Sequence, residues 1–193
     1  MSVFKDHKIS LKQVLNFIPE ALLSHLSATT KVDYYSKVLH GKKMFYLLLF
    51  CIFDNEKLSQ RTLEDTFNSS GFKALFGLGE EEKVRRSSIS ERLSKIDSNY
   101  FKEIYEQMYG RFSELYSKTE IEKYNLIRVD STIVADTCAK LKEGIDQKSG
   151  KKLVKFSFSF DGILPSGVEV FTGQKYSSEE AALPEAILKQ VKK

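Results

Sequence analysis

The sequence feature that most constrains the fold is a strand-like run at residues 125–137 with one carboxylate in its middle. Most of its apolar residues are β-branched, as Ile127, Val129 and Ile133 illustrate, which is typical of a buried strand. Asp130 interrupts this run, and a buried charge requires a compensating partner such as a metal ion or a hydrogen-bonding group. The sequence leaves two interpretations open: Asp130 is a functional carboxylate, or it bonds to neighbouring amides or to Arg128.

Length and composition fit a water-soluble protein of one domain or two small ones. The chain has 193 residues, of which 41% are hydrophobic, and a net charge of +4 that permits a nucleic-acid partner without requiring one. Two distant cysteines, Cys51 and Cys138, favour a reducing compartment. The N-terminus lacks the layout of a signal peptide, and the apolar run at residues 44–53 is too short to span a bilayer. We therefore expect a cytoplasmic, nucleoid-associated protein.

Helical periodicity dominates the first part of the chain. Residues 11–26 have helical spacing with a break at Pro19, residues 42–53 predict a buried helix, and further helices are predicted at residues 58–67 and 100–116, the last capped by Asp97 or Ser98. Residues 68–79 are predicted to be a loop, and residues 32–40 fit either a strand or a poor helix. Composition changes near residues 118–123, which predicts a helical region at 1–120 and a second region at 121–193.

A short helix at residues 86–96 is the candidate DNA-binding element. Its apolar stripe leaves hydroxyl and basic side chains on the other faces, with a capping arrangement of Ser87 with Ser90 or of Ser88 with Glu91. Small hydroxyls and cations near a helix N-terminus suit contact with a DNA backbone or groove. The candidate DNA-binding residues are Arg85, Arg86, Ser87, Ser88, Ser90, Arg92 and Lys95. An ordinary surface helix is the alternative.

The second region predicts three strands and a helix. Residues 152–161 predict a half-buried strand that alternates from Val154 through Phe160, with three phenylalanines on one face and Lys155, Ser157 and Ser159 on the other. A turn at residues 162–167 leads to a third strand at 168–172, and Pro184 suits the first turn of a helix that ends near Val191. Such a sheet leaves an edge where further strands would pair, so the sequence indicates an unfinished domain.

These residues together resemble one family. The motif Arg86-Ser87-Ser88-Ile89-Ser90 with Arg92-Leu93, the strand Val129-Asp130-Ser131-Thr132, the Phe-Ser-Phe strand and the Gly-Ile-Leu-Pro-Ser-Gly turn are similar to the N-terminal portion of bacterial DDE transposases of the insertion-sequence-four family. The resemblance implies an α+β protein: a helical DNA-binding region, then an incomplete RNase H-like mixed sheet in the order β-β-β-α.

The same resemblance implies a function in DNA transposition, by cleavage and strand transfer. Asp130 takes the place of the first catalytic Asp and metal ligand for Mg²⁺ or Mn²⁺, the partner is the double-stranded DNA of transposon ends, and the complete protein is expected to form a homodimer. Asp136 and Asp161 are interpreted as caps or surface residues. The second Asp and the Glu of the triad lie beyond this chain, so we expect the chain alone to be inactive, since a two-metal site needs several carboxylates.

Two other functions stay open from the sequence. The chain fits a truncated, non-catalytic DNA-binding protein that inhibits a full-length transposase. It also fits an unrelated α+β interaction module in which Asp130 is incidental.

Overall fold

A computed structural model describes residues 13, 15, 17–54, 58–115, 128–135, 143–160 and 164–191, and of residues 128–135 it describes the backbone. Helices precede a sheet, which confirms the predicted α+β class. The elements are α1 (Glu20–Thr30), α2 (Gly41–Asp54), α3 (Gln60–Asn68), α4 (Ser70–Phe76), α5 (Arg86–Lys95), α6 (Ser98–Ser113), β1 (Arg128–Ala135), β2 (Ile145–Asp146), β3 (Lys152–Phe160), β4 (Pro165–Phe171), a 3₁₀ turn (Gln174–Ser177) and α7 (Glu179–Val191).

The chain forms two compact units, Met1–Met108 and Tyr109–Lys193. The boundary that the sequence predicts, between residues 120 and 121, lies outside the described residues. Two clusters of buried hydrophobic residues lie in the first unit and one in the second, and each unit is described below by itself.

Helix boundaries in the first unit follow local sequence signals. Pro19 precedes α1 with φ −64° and ψ 133°, the extended conformation that separates it from the preceding residues. The Ser59 hydroxyl accepts a hydrogen bond of 3.0 Å from the Thr62 amide at the start of α3. The Asp97 carboxylate accepts one of 2.9 Å from the Asn99 amide at the start of α6. The predicted break at Pro19, the predicted α3 and the predicted cap at Asp97 are confirmed.

Helix α2 is the centre of the first unit, as its nearly continuous apolar sequence predicts. Met44, Leu47 and Cys51 are fully buried on it and belong to a cluster with residues of α3 and α5, including Leu63 and Ile89. Packing around this apolar helix therefore fixes where α5 lies. Within the described parts of the chain, none of the helices combines the length and apolar character that crossing a bilayer requires.

The predicted loop at residues 68–79 is wrong, because it contains helix α4. The Ser69 hydroxyl accepts a hydrogen bond of 3.2 Å from the Phe72 amide and caps the helix, and Gly77 ends it in the left-handed conformation at φ +62°. Phe72 is almost fully buried against Phe67 in the main cluster. Seven residues are too few for the apolar periodicity to show, so only the cap and the glycine signalled this helix.

The second unit is built around strand β3. Leu153 of β3 pairs with both Ala135 of β1 and Ile145 of β2, and β4 pairs with the later residues of β3. Since a strand has two edges, β1 occupies one edge of β3, and β2 and β4 share the other. Every pairing among the described residues is antiparallel, so the mixed sheet that the sequence predicts is not seen there.

Helix α7 covers the face of β3 that the sequence marks as polar. Lys155, Ser157 and Ser159 are buried, whereas the three phenylalanines of the strand are half-buried. Ala182 and Ala186 of α7 pack with Phe171 of β4 on this side, and their small side chains bring the helix close to the sheet.

An ion pair between a buried lysine and an exposed carboxylate accompanies this packing. The Lys155 ammonium lies 3.1 Å from the carboxylate of Glu179, the first residue of α7, so the charge that alternation would place in solvent has a partner. The helix begins five residues before Pro184, and the prediction that Pro184 lies in its first turn is therefore wrong.

Candidate nucleic-acid interface

Helix α5 divides its side chains among three faces. Ile89 is fully buried and Leu93 is half-buried against the main cluster, so this face anchors the helix. Ser88 and Arg92, one turn apart, face a cavity beside residues 31–39, and Ser90 faces a second cavity beside α3. The helix therefore forms a ridge between two concave surfaces.

The N-terminal end of this ridge is open to solvent. Arg85, Arg86, Ser87 and Ser88 are all exposed. Arg85 occupies the N-cap position without a side-chain capping hydrogen bond, so the capping arrangements predicted from the serines and Glu91 are wrong. The first amides of a helix have no intrahelical acceptor, and the helix dipole is positive at this end. With two arginines beside it, this end of α5 is suited to bind an anion such as a DNA phosphate.

The cavity between α3 and α5 brings together four of the predicted DNA-binding residues. Its volume is about 540 Å³, and it is lined by Gln60, Glu64, Arg85, Arg86, Ser87 and Ser90. The side-chain amide of Gln60 donates a hydrogen bond of 3.2 Å to the Ser90 hydroxyl, which joins the two helices across the cavity. Ser90 is thus partly engaged within the protein, while the two arginines remain exposed.

The structure gives Arg92 another set of contacts. Its side chain is only 11% exposed; Nε donates a hydrogen bond of 2.8 Å to the Leu39 carbonyl and Nη2 donates one of 2.7 Å to the Val32 carbonyl. Burial lowers the pKa of Arg92, and the nearby Asp33 carboxylate opposes that change. This geometry favours a structural role for Arg92 over contact with a phosphate.

Lys95 stays at the surface in a pair with Glu91. The ammonium lies 2.6 Å from the Glu91 carboxylate one turn earlier, and this hydrogen bond lowers the pKa of Glu91. Exposed pairs of this kind contribute little to stability, so Lys95 can exchange the carboxylate for another anion at small cost.

The cavity beside residues 31–39 was not predicted from the sequence. We call residues 31–39 the tyrosine loop. The cavity between this loop and α5 has a volume of about 820 Å³. The loop exposes Tyr34 by 67% and Tyr35 by 93%. Two adjacent tyrosines among lysines were the available signal, but the pattern at residues 32–40 did not distinguish strand from helix.

Asp130 lies in the first strand, as the sequence predicts, but it is the third of the eight residues of β1 and so lies toward the beginning of the strand and not at its middle. Its backbone is opposite Phe158 of the central strand. In the part of the chain that the structure describes, no three His, Cys, Asp or Glu residues come close enough to hold a metal ion. One carboxylate does not fit a two-metal site, which requires several oxygen ligands.

No family model matches the chain, and neither the curated proteins nor the solved structures include a significant match.

Proposed function

We propose that this protein binds double-stranded DNA through helix α5, as the DNA-binding part of a DDE-type transposase. The single observation that carries the proposal is the exposed group of Arg85, Arg86, Ser87 and Ser88 at an uncapped helix N-terminus. Two cations, two hydroxyls and the first backbone amides of a helix at one place are the groups that proteins use to position a DNA backbone. Their contact with phosphate oxygens would set the register of the protein on the duplex.

The firm anchoring of α5 supports this assignment. A recognition element must be held rigidly, because its contacts are otherwise offset by the entropy of ordering it. Ile89 is buried in the main cluster, and Arg92 ties the helix to the carbonyls at both ends of the tyrosine loop. The exposed ridge therefore presents its arginines from a fixed position.

Asp130 provides the link to transposition in this proposal. The antiparallel order of β1, β3 and β4, followed by α7, is compatible with the start of an RNase H-like domain, and Asp130 lies in its first strand. In that assignment Asp130 is one metal-binding carboxylate of the catalytic site for Mg²⁺ or Mn²⁺. The remaining carboxylates of the triad would have to come from outside the described chain.

Salt dependence tests the binding proposal. A labelled duplex of about 30 base pairs is titrated with the protein at several salt concentrations between roughly 50 and 200 mM. Two to four phosphate contacts predict a log–log slope of about −2 to −4, since each contact releases condensed counterions. Absence of binding at the lowest salt concentration would contradict the proposal.

Cleavage assays on the same duplex address catalysis. We expect no Mg²⁺- or Mn²⁺-dependent nicking by this chain, and Asp130→Asn should leave DNA binding unchanged because binding rests on the basic residues. Nicking that Asp130→Asn abolishes would instead show a complete catalytic site. Binding with no nicking, even in a chain extended by downstream sequence, would favour the alternative of a non-catalytic DNA-binding protein.

A further inference from the structure

The tyrosine loop exposes two aromatic rings at its tip. Tyr34 and Tyr35 contact each other edge to face, with ring centroids 4.3 Å apart. Tyr35 has a φ of +66°, in the left-handed region that residues other than glycine rarely adopt. An exposed ring in an unfavourable backbone conformation contributes nothing to the core, and such conformations concentrate at functional sites.

The base of the loop is held firmly. Arg92 donates to the carbonyls of Val32 and Leu39, and the Asp33 carboxylate accepts a hydrogen bond of 2.5 Å from the Gly41 amide at the start of α2. Val32 and Leu39 are themselves buried. The rings therefore project from a scaffold in which three hydrogen bonds from side-chain or backbone N–H groups fix the two arms.

Basic side chains surround these rings. The cavity is lined by Lys31, Lys37 and Lys95 together with both tyrosines, and Ser88 of the α5 ridge reaches it as well. All three lysines are exposed. Arg92 lines the cavity as well, so four cationic side chains stand beside two carboxylates, those of Glu91 and Asp97, and cations predominate even though Lys95 is paired with Glu91.

We propose that the tyrosine loop binds an unpaired nucleotide of a DNA strand, with its base stacked on one of the two exposed rings, Tyr34 or Tyr35, and its flanking phosphates near Lys31, Lys37 and Lys95. Aromatic rings inside a positive groove are how proteins hold single-stranded nucleic acid, because every base has a stacking face and every nucleotide a phosphate. A base within a duplex has both faces covered by its neighbours. The occupant is therefore a nucleotide outside the helical stack.

This inference rests on the proposed DNA-binding function, and it places the unpaired nucleotide next to the duplex held at the α5 ridge. Ser88 belongs to both the ridge and the cavity lining, so the two surfaces are continuous. The tyrosine loop would then distinguish a DNA end with a frayed or single-stranded tail from an internal duplex segment. A protein partner is the other occupant that exposed tyrosines suit.

The test compares three labelled DNA probes: a blunt duplex, the same duplex with a three-nucleotide single-stranded tail, and the same tail with abasic sugars. We expect the wild-type protein to prefer the tailed duplex over the blunt one by roughly 5- to 150-fold, the range that stacking of one base provides. The abasic tail keeps the phosphates and loses the rings of the bases, so it should lose most of the preference.

Variants of the two tyrosines test whether their rings cause the preference for the tailed duplex. Tyr34→Ala/Tyr35→Ala should abolish the preference for the tailed duplex, and Tyr34→Phe/Tyr35→Phe should retain it, since stacking needs the ring and not the hydroxyl. Phe53→Ala, which removes an exposed aromatic ring on α2, is the matched control and should change nothing. Circular dichroism verifies that each variant is folded.

The outcomes separate this inference from the proposed function. Equal binding of blunt and tailed duplexes, a preference that survives the double alanine variant, or an abasic tail as good as the normal one would overturn the tyrosine-loop assignment while leaving duplex binding by α5 in place. A protein that binds none of the three probes would overturn both.

Discussion

Arg92 links helix α5 to the tyrosine loop beside it through a planar group with several donors. Its Nε and Nη2 reach two different carbonyls, those of Leu39 and Val32, from one guanidinium. A lysine carries its three donors on a single atom and cannot reproduce this fork. The sequence could not distinguish Arg92 from Arg86, because both are basic residues on the same short helix and only the packing partners differ.

Replacing Arg92 by lysine should therefore destabilise the protein by about 2–3 kcal/mol, because at least one largely buried carbonyl loses its charged donor. Urea denaturation followed by circular dichroism measures this loss. Arg86→Lys is the matched control and should stay within about 0.5 kcal/mol of the wild type, since Arg86 is exposed. Equal stability of the two variants would contradict the structural role of Arg92.

Glu82 gives the stability of the first unit a dependence on pH. The Lys43 ammonium donates a hydrogen bond to the Glu82 carboxylate, and this contact lowers the pKa of Glu82 below its ordinary value of 4.5. A lowered pKa means that the folded state binds the proton more weakly than the unfolded state does. The stabilisation is thus complete above pH 4.5 and is lost as the pH falls through the lower pKa of the folded protein.

We therefore expect Glu82→Gln to be less stable than the wild type at pH 7, with a difference that shrinks as the pH is lowered through the range below 4.5. Urea denaturation at a series of pH values provides the comparison. Glu81→Gln removes the same charge from an exposed neighbour and controls for net charge. If Glu82→Gln were less stable than the wild type by the same amount at every pH, the loss of stability would not come from the ion pair with Lys43.

At the scale of elements, two glycines at helix starts have opposite structural roles. A Cβ on Gly41, the first residue of α2, would lie 2.6 Å from the Val32 Cγ1 atom and 3.1 Å from the Tyr100 ring, so the close approach of loop and helix requires glycine there. A Cβ on Gly71 of α4 would meet no atom within 4 Å. Only long-range packing separates these positions.

Gly41→Ala should destabilise the protein by about 1–3 kcal/mol through overpacking, whereas Gly71→Ala should stabilise it by about 0.5–1 kcal/mol because alanine favours the helix. Thermal unfolding monitored by circular dichroism ranks the two variants. If both variants were more stable than the wild type, or both less stable, the close packing of the tyrosine loop against Gly41 of α2 would be contradicted.

The elements that could be predicted from the sequence are those with a long periodic pattern. Helices α2, α3, α5 and α6 and strands β1 and β3 follow from apolar spacing that extends over eight residues or more. Helix α4 was not predicted because it is too short for a periodic pattern. The burial of Lys155 was not predicted because strand alternation defines two faces but does not indicate which of them α7 covers. At the candidate site, exposure of Arg85 and Arg86 agrees with the sequence interpretation, and the tyrosine loop depends on the tertiary contacts of Arg92.

At the scale of the whole molecule, the proposed function depends on charge at one place, because it assigns duplex DNA to the arginines at the N-terminus of α5. The net charge of +4 attracts DNA without specifying where it binds. Bulk attraction and a local site therefore make different predictions for variants that remove the same charge from different places. Lys102 and Arg111 of α6 are exposed and line neither cavity beside α5, so they provide the charge-matched comparison.

The most direct test is the salt dependence of duplex binding for Arg85→Ala/Arg86→Ala beside Lys102→Ala/Arg111→Ala. Loss of two phosphate contacts should reduce the magnitude of the log–log slope by about 2 in the α5 variant and leave it unchanged in the α6 variant. Equal slopes in the two variants would mean that α5 is not the DNA-binding surface.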